Sequence, residues 1–169
     1  VDNLRRADRM LGGLRDLMLQ GALAHEQAMP FSSAALVHEA VAAIRERPGT
    51  ESIDFVIAPE MPEVLAQRRK IAIVFENLIG NAVRATAAVT HPRIEIGAEE
   101  QADEATFWVV DNGTGVAPGL QARIFEPLAQ GPGSDGMGLG LALVRQIVEQ
   151  HDGEVWVESQ EGAGARFFL

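Results

Sequence analysis

The stretch ENLIGNAVR, residues 76–84, is where the reading of this chain turns. Around it Ile71, Val74, Phe75, Leu78, Ile79 and Ala82 recur at helical spacing, which predicts a long helix over about residues 67–89 with one buried face. Asn77 and Asn81 stand one turn apart, so both amides project from the same side of that helix. In isolation such a pair reads as the wet side of an amphipathic helix. Asn is a mediocre helix former, however, and two of them in one short span need another reason. An amide oxygen is a neutral hard ligand, suited to a magnesium ion already carrying phosphate charge. Arg84, seven residues beyond Asn77, extends the same face toward a phosphate.

Two more segments bear on the same chemistry. VVDNGTGV, residues 109–116, ends an apolar strand in a carboxylate, Asp111, and then supplies Gly113 and Gly115. Asp-Asn-Gly alone signals a hairpin turn, but TGVAPGLQARIFEP, which runs on from it, lacks the period-two pattern of a second strand. The alternative makes Asp111 an acceptor for the exocyclic amine of adenine, with two glycines letting the backbone approach the base. GMGLGL, residues 136–141, is a glycine-rich start to a helix, whose free N–H groups suit phosphate. Its spacing is not that of a dinucleotide fingerprint, and no Gly-Lys-Ser/Thr is present for a P-loop. Amides, one acid and bare backbone at a helix start suit a magnesium nucleotide.

Working outward, 169 residues allow one domain with a core plus an appendage. Fourteen Lys and Arg against 24 Asp and Glu give a net charge of −10, which argues against nucleic acid as a partner. The absence of cysteine excludes disulfides, thiolate metal sites and a Cys nucleophile. No apolar run reaches the roughly 20 residues of a membrane helix, and no signal peptide is evident. A start on Val1 and an end inside the apolar FFL read as a piece of a longer protein. Residues 1–24 are amphipathic at helical spacing through Leu4, Leu11, Leu14 and Met18, weakened at Gly12-Gly13, and such a helix needs a partner. A linker with Pro30 follows, then Ser32 and Ser33 as N-cap candidates for a helix over about 34–47, broken by Pro48-Gly49. Strands are expected at 53–57, 93–97 and 107–110, with Pro59 and Pro62 interrupting in between. A helix over about 138–151 ends at Asp152-Gly153, and a hairpin around Glu161-Gly162 closes the chain.

In this order NLIGNAVR, DNGTGV, IFEP (residues 124–127) and GMGLGL resemble the asparagine, first glycine, phenylalanine and second glycine boxes of bacterial sensor histidine kinases. The resemblance is to their ATP-binding catalytic domain, in the superfamily of gyrase, Hsp90 and MutL, and covers about residues 53–169. It implies an α/β two-layer sandwich: a mixed sheet with helices on one face, preceded by the N-terminal amphipathic helix. ATP and Mg2+ are the cofactors implied. Asn81 would be the magnesium ligand, with Asn77 and Arg84 completing the catalytic set at the phosphates. Asp111 would read adenine; Gly113, Gly115, Phe125, Gly136, Gly138, Gly140 and Leu141 would line the nucleotide; residues 130–137 would form a lid. The γ-phosphate would pass to a histidine outside this chain, on the same or a partner subunit, in a pathway that includes a response regulator. Residues 1–28 would be the second helix of a dimerisation hairpin, supporting a homodimer of the full protein. Residues 29–169 would be the catalytic domain, its linker and first helix over about 29–52. The location implied is cytoplasmic, whether or not the parent protein is anchored in a membrane.

Several positions depart from the family pattern. Ala85 and Leu128 stand where aromatics are usual, Met137 and Ala165 where Thr is frequent, and no Lys or Arg lies between Arg123 and Arg145. A lid without a cation would slow transfer, since phosphoryl transfer rests on positioning and charge neutralisation. The competing reading is therefore a degenerate nucleotide-binding regulatory module without phosphotransfer. An ATP-hydrolysing clamp is disfavoured, because Asn77 occupies the general-base position of those enzymes and an amide takes no proton from water. Glu76 is turned about 100° away.

His25-Glu26-Gln27-Ala28-Met29-Pro30 formally fits the His-Glu-x-x-x-Pro pattern of a phosphoacceptor box. It lies too near Asn77 in sequence for that architecture, with a linker rather than a hairpin helix behind it, so the match is read as accidental. His38, His91 and His151 are read as surface or cap residues, His151 closing a helix where the dipole favours a cation. Given labelled ATP and magnesium, this chain alone should accumulate no acid-labile phosphohistidine. Autophosphorylation that disappears in His25→Gln would make His25 the acceptor after all.

Overall fold

The computed structural model describes residues 26–102, 104–129 and 138–169. The expected helix over residues 1–24, His25, and lid residues 130–137 lie outside them. The order is β1 (Met29–Ser32), α1 (Ser33–Arg45), β2 (Asp54–Ile57), β3 (Glu63–Ala66), α2 (Arg68–Ala85), β4 (Arg93–Gln101), β5 (Glu104–Asp111), α3 (Pro118–Gln121), α4 (Gly140–Glu149), β6 (Trp156–Ser159) and β7 (Ala165–Phe168).

Helix α2 is the spine. Val74, Phe75, Leu78 and Ile79 have no exposed surface at all, as the apolar periodicity requires. They pack with α1 and α4 on one face of a five-stranded sheet of order β2-β4-β5-β7-β6. β2 runs parallel to β4 and every other neighbour is antiparallel, so the sheet is mixed, as expected. Ile94, Ile96, Phe107, Val109 and Phe167 supply its inner face, and Phe75 meets Phe107 edge to face at 5.7 Å. On the other face Trp108 lies against Gly97, and Trp156 stacks on Phe168 at 4.8 Å.

The N-terminal region corrects one expectation. Met29–Ser32 is a strand, not a linker, and pairs antiparallel with Glu63–Ala66 in a separate two-stranded sheet. Pro30 faces Leu65 there, tolerable because each strand has an open edge where a missing N–H costs nothing. Four-residue strands are too short for alternation to reveal them. Ser32 caps α1, accepting from Ala35 N at 3.2 Å, while the buried Ser33 hydroxyl donates to Pro62 O at 2.5 Å and pins α1 to β3. β4 and β5 form a longer hairpin than their apolar cores suggest, from Ile94↔Asp111 to Gln101↔Glu104, because ladder pairing continues through polar residues.

Gly162 and Gly164 both have positive φ in the β6–β7 turn, +81° and +91°, but only Gly164 is crowded. A Cβ there would run into Asp111 O, across the β5–β7 pairing. Gly162→Ala should therefore cost about 1–2 kcal/mol, the price of a left-handed conformation. Gly164→Ala should cost at least about 3 kcal/mol, because backbone must also move. Urea midpoints of the two variants check this; equal losses would mean the turn relaxes freely.

Candidate nucleotide site

The C-terminus of α2 presses directly on the turn that follows β5. Thr114 N donates to Ala85 O at 3.2 Å, and a Cβ on Gly113 would lie 2.6 Å from the Ala85 carbonyl. Gly113 is thus required by the protein's own backbone. Gly115, at φ +68°, is crowded in turn by Gln160 O, and Gly162 N donates to Thr114 O at 2.7 Å. The asparagine helix, the glycine turn and the β6–β7 connection are locked together by these contacts.

On α2, Asn77 Nδ2 donates to Ile73 O at 2.8 Å, which leaves its oxygen facing the start of α4. A Cβ on Gly140 would lie 2.5 Å from Asn77 Oδ1, so glycine is what lets the two helices approach. Asn81 Oδ1 accepts from Arg84 Nη2. Burial of the guanidinium, and then the nearby Arg47, lower the Arg84 pKa below the usual arginine range, though the side chain as a whole is largely exposed and stays charged. Asn77, Asn81 and Arg84 thus share one side of α2, as their spacing requires.

Asp111 is 4% exposed. Its Oδ1 accepts from Gly113 N at 2.8 Å, and the Ala165 backbone donates to the carboxylate as well. Burial raises its pKa above the ordinary aspartate value, while the two backbone hydrogen bonds oppose that shift. A buried carboxylate of this kind, ending a strand beside a glycine turn, is a strong acceptor in a dry setting.

The remaining sequence-predicted residues divide. Gly138 has φ +67°, and its carbonyl accepts from Leu128 N at 2.9 Å. Leu141 is half-buried against the core. Gly136 lies outside the described residues. Phe125 is not gathered with the asparagines: its ring packs edge to face on Phe167 at 6.3 Å and lines a groove of about 660 Å3 with Gln121, Arg145 and Trp156.

Two positioning residues have no local sequence signal. Ser159 Oγ accepts from Val116 N at 2.8 Å and donates to Gly164 O at 2.7 Å. Gln121 Nε2 donates to Val116 O at 2.8 Å and Ser159 O at 2.9 Å. They hold the glycine turn on the β6–β7 hairpin. Only the tertiary fold brings such distant segments together, so no motif could have announced them.

A mixed sheet backed by helices, with an asparagine helix closed onto glycine turns, defines an ATP-binding α/β sandwich of the gyrase, Hsp90 and histidine kinase class. The chain belongs to the family described as histidine kinase-, DNA gyrase B- and HSP90-like ATPase, whose profile matches residues 66–169. It is 35% identical over 130 residues to the methanogenesis regulatory histidine kinase FilI of Methanothrix harundinacea, covering 76% of this chain and 15% of that protein. With the alginate biosynthesis sensor protein KinB of Pseudomonas aeruginosa it shares 38% identity over 119 residues, 70% of this chain and 20% of KinB. The chain thus spans a fifth or less of the length of these relatives. Among solved structures, full-length ShkA in complex with AMPPNP superposes with a TM-score of 0.77 at 29% identity, covering 95% of this chain and 35% of ShkA. The nucleotide-free catalytic domain of the histidine kinase ThkA gives 0.72 at 29% identity, covering 84% and 93%.

The raised pKa of Asp111 sets a pH test. Its ionised form is strained by burial, so this group's contribution to stability rises as pH falls through the raised value toward the ordinary one. Nucleotide affinity should move the opposite way, because only the carboxylate accepts from an amine without rotating a proton aside. Asp111→Asn should lose about 1.5–3 kcal/mol of ATP binding and flatten both pH trends. Calorimetric titration and melting between neutral and mildly acidic pH measure this. Equal affinity of the wild type for ATP and GTP would show that Asp111 does not read the base.

Proposed function

We propose that this chain is the ATP-binding catalytic domain of a two-component sensor histidine kinase, transferring the γ-phosphate of Mg-ATP to a histidine it does not itself carry. The observation that supports the reading is the contact of Ala85 with Gly113 and Thr114, which sets the end of the helix carrying Asn77, Asn81 and Arg84 against the turn that follows Asp111. Family membership and relatives named as histidine kinases support it.

Magnesium takes few protein ligands and keeps phosphate and water, and the neutral amide oxygen of Asn81 is a hard donor that fits it. Asn81 would hold it, through the oxygen that Arg84 engages here, and the ion would neutralise phosphate charge. Asp111 orients the base through its exocyclic amine. Arg84 would supply charge to the phosphates, and Asn77, fixed by Ile73 and against Gly140, would stand beside them. The start of α4, which lies against Asn77 at Gly140, would offer backbone N–H groups to a phosphate. Catalysis here is positioning of the γ-phosphate in line with an imidazole nitrogen, with charge held by fixed groups.

The second helix of the dimerisation hairpin, expected over residues 1–28, is proposed to end before residues 26–28, which are not helical and lead into β1. Residues 29–169 are proposed as the catalytic domain, working as a homodimer with a response regulator as downstream partner and in the cytoplasm. Among the described residues no helix is long and apolar enough to cross a membrane. The lid composition favours one rival, a regulatory module that binds nucleotide without transferring phosphate.

Asn81→Ala should remove magnesium-dependent ATP binding without unfolding the chain, since Leu78 and Ile79 hold α2 from its buried side. Titration with an ATP analogue measures it, and unchanged affinity would remove the metal assignment. The wild-type chain should also phosphorylate, in trans, a polypeptide carrying the first hairpin helix. Tight ATP binding without that transfer would favour the regulatory module.

A further inference from the structure

Helix α2 begins with charges of the wrong sign for its dipole. Arg68, Arg69 and Lys70 fill its first turn, no acid is among them, and Gln67 at the N-cap makes no side-chain cap hydrogen bond. Cations at that end oppose the partial positive charge of the free N–H groups. Two groups from elsewhere in the chain answer for them. Glu26 Oε1 accepts from Arg69 N at 3.1 Å, and His151 Nε2 accepts from Gln67 N at 3.2 Å. Gln67 Nε2 in turn donates to Glu26 O, fastening the incoming backbone to the same place.

The surroundings fix the sense of these contacts. The other ring nitrogen of His151 is 2.8 Å from Ile147 O, so the ring donates there and accepts from Gln67, which requires neutral imidazole rather than the cation its helix end invites. Arg68 pairs with Glu39 at 2.6 Å and Lys70 donates to Gln150 at 2.8 Å. Glu26 Oε2 is buried with no hydrogen-bond partner among the described residues, so the carboxylate is held at the helix end through Oε1 and by the local positive field. Met29 and Pro30, directly beyond, enter β1. The Glu and the Pro of the His-Glu-x-x-x-Pro match thus both have places in this fold.

We infer that Glu26 is a positioning residue for the nucleotide site: an N-cap supplied by the segment leading into the domain, which holds the helix carrying Asn77 and Asn81 and loosens it when that segment is displaced. Arg69 and Asn77 are eight residues apart, about 12 Å along the helix. α4 reinforces the link, reaching the start of α2 through His151 at its C-terminal end and Asn77 through Gly140 at its N-terminal end. The role in nucleotide binding rests on the function proposed above; the capping itself does not.

The test uses the full 169-residue chain without nucleotide. Glu26→Ala should lower the melting midpoint by about 2–4 °C, as loss of a cap does in a domain of this size. It should also speed amide exchange at residues 69–71 by roughly fivefold to tenfold. Gln67→Asp supplies a cap from within the helix, so Glu26→Ala made in that background should cost little by either measure. Restoration from position 67 is what a role in mere surface packing would not give. With ATP added, Glu26→Ala should weaken affinity a few-fold and Gln67→Asp should restore it. Unchanged exchange at 69–71 in Glu26→Ala, or equal losses with and without Gln67→Asp, would overturn the inference. Absence of ATP binding by the wild type, with the exchange result intact, would instead overturn the proposed function.

Discussion

The structure depends on the contact between the last turn of α2 and the backbone after β5. Ala85 offers its carbonyl to Thr114 N, and the approach is so close that Gly113 has no room for a Cβ. Phe75 on Phe107 already lays α2 against β5, and this contact adds a fixed point at the end of both, next to the acid. With it, a side chain on α2 and a side chain on β5 are held across a seam of backbone, which is stiffer than side-chain packing. The crowding continues through Gly115 and Gly164, each pressed by a backbone oxygen of another segment. Glycine is used here for close approach of protein to protein as much as for access to a ligand.

Asp111 shows what that rigidity makes possible. Burying a carboxylate is unfavourable, and burial dominates the shift of its pKa. Two backbone donors, one on the glycine turn and one on β7, hold it in place, with no counter-ion among the described residues. An acceptor held this way needs no reorganisation to meet a donor from a ligand, and little water competes for it. Ser159 and Gln121 extend the same logic outward, fixing the turn through three carbonyl and amide contacts that bridge the β6–β7 hairpin and α3.

Relations to known kinases fall into place around this frame. The matched family region begins at residue 66, next to Gln67, while β1 and α1 lie before it. The segment upstream of the match nevertheless reaches into it, through Glu26 at the head of α2. The departure from the family pattern at Leu128 falls on an exposed side chain. The seam of α2 on the glycine turn is complete, although one of its residues, Ala85, is itself a departure.

The sequence by itself determined the helix that carries Asn77, Asn81 and Arg84, because six apolar positions at helical spacing leave only one face for polar groups. It determined the mixed α/β class as well, from strands and helices whose patterns are long enough to read. It also marked Asp111 and the glycines, since an acid followed by Gly-x-Gly with no strand beyond has few structural uses. Tertiary structure alone decided the rest. β1 and β3 are too short to show a period and exist only because they pair with each other. Phe125, part of an ordered motif, packs edge to face on Phe167 at the margin of the core, a placement made by packing. His151, placed where a helix dipole favours a cation, became a neutral acceptor because the bare N–H of Gln67 lies against it. Local pattern records what one element needs; which neighbour supplies it depends on contacts between residues far apart in the chain, and those the pattern does not contain.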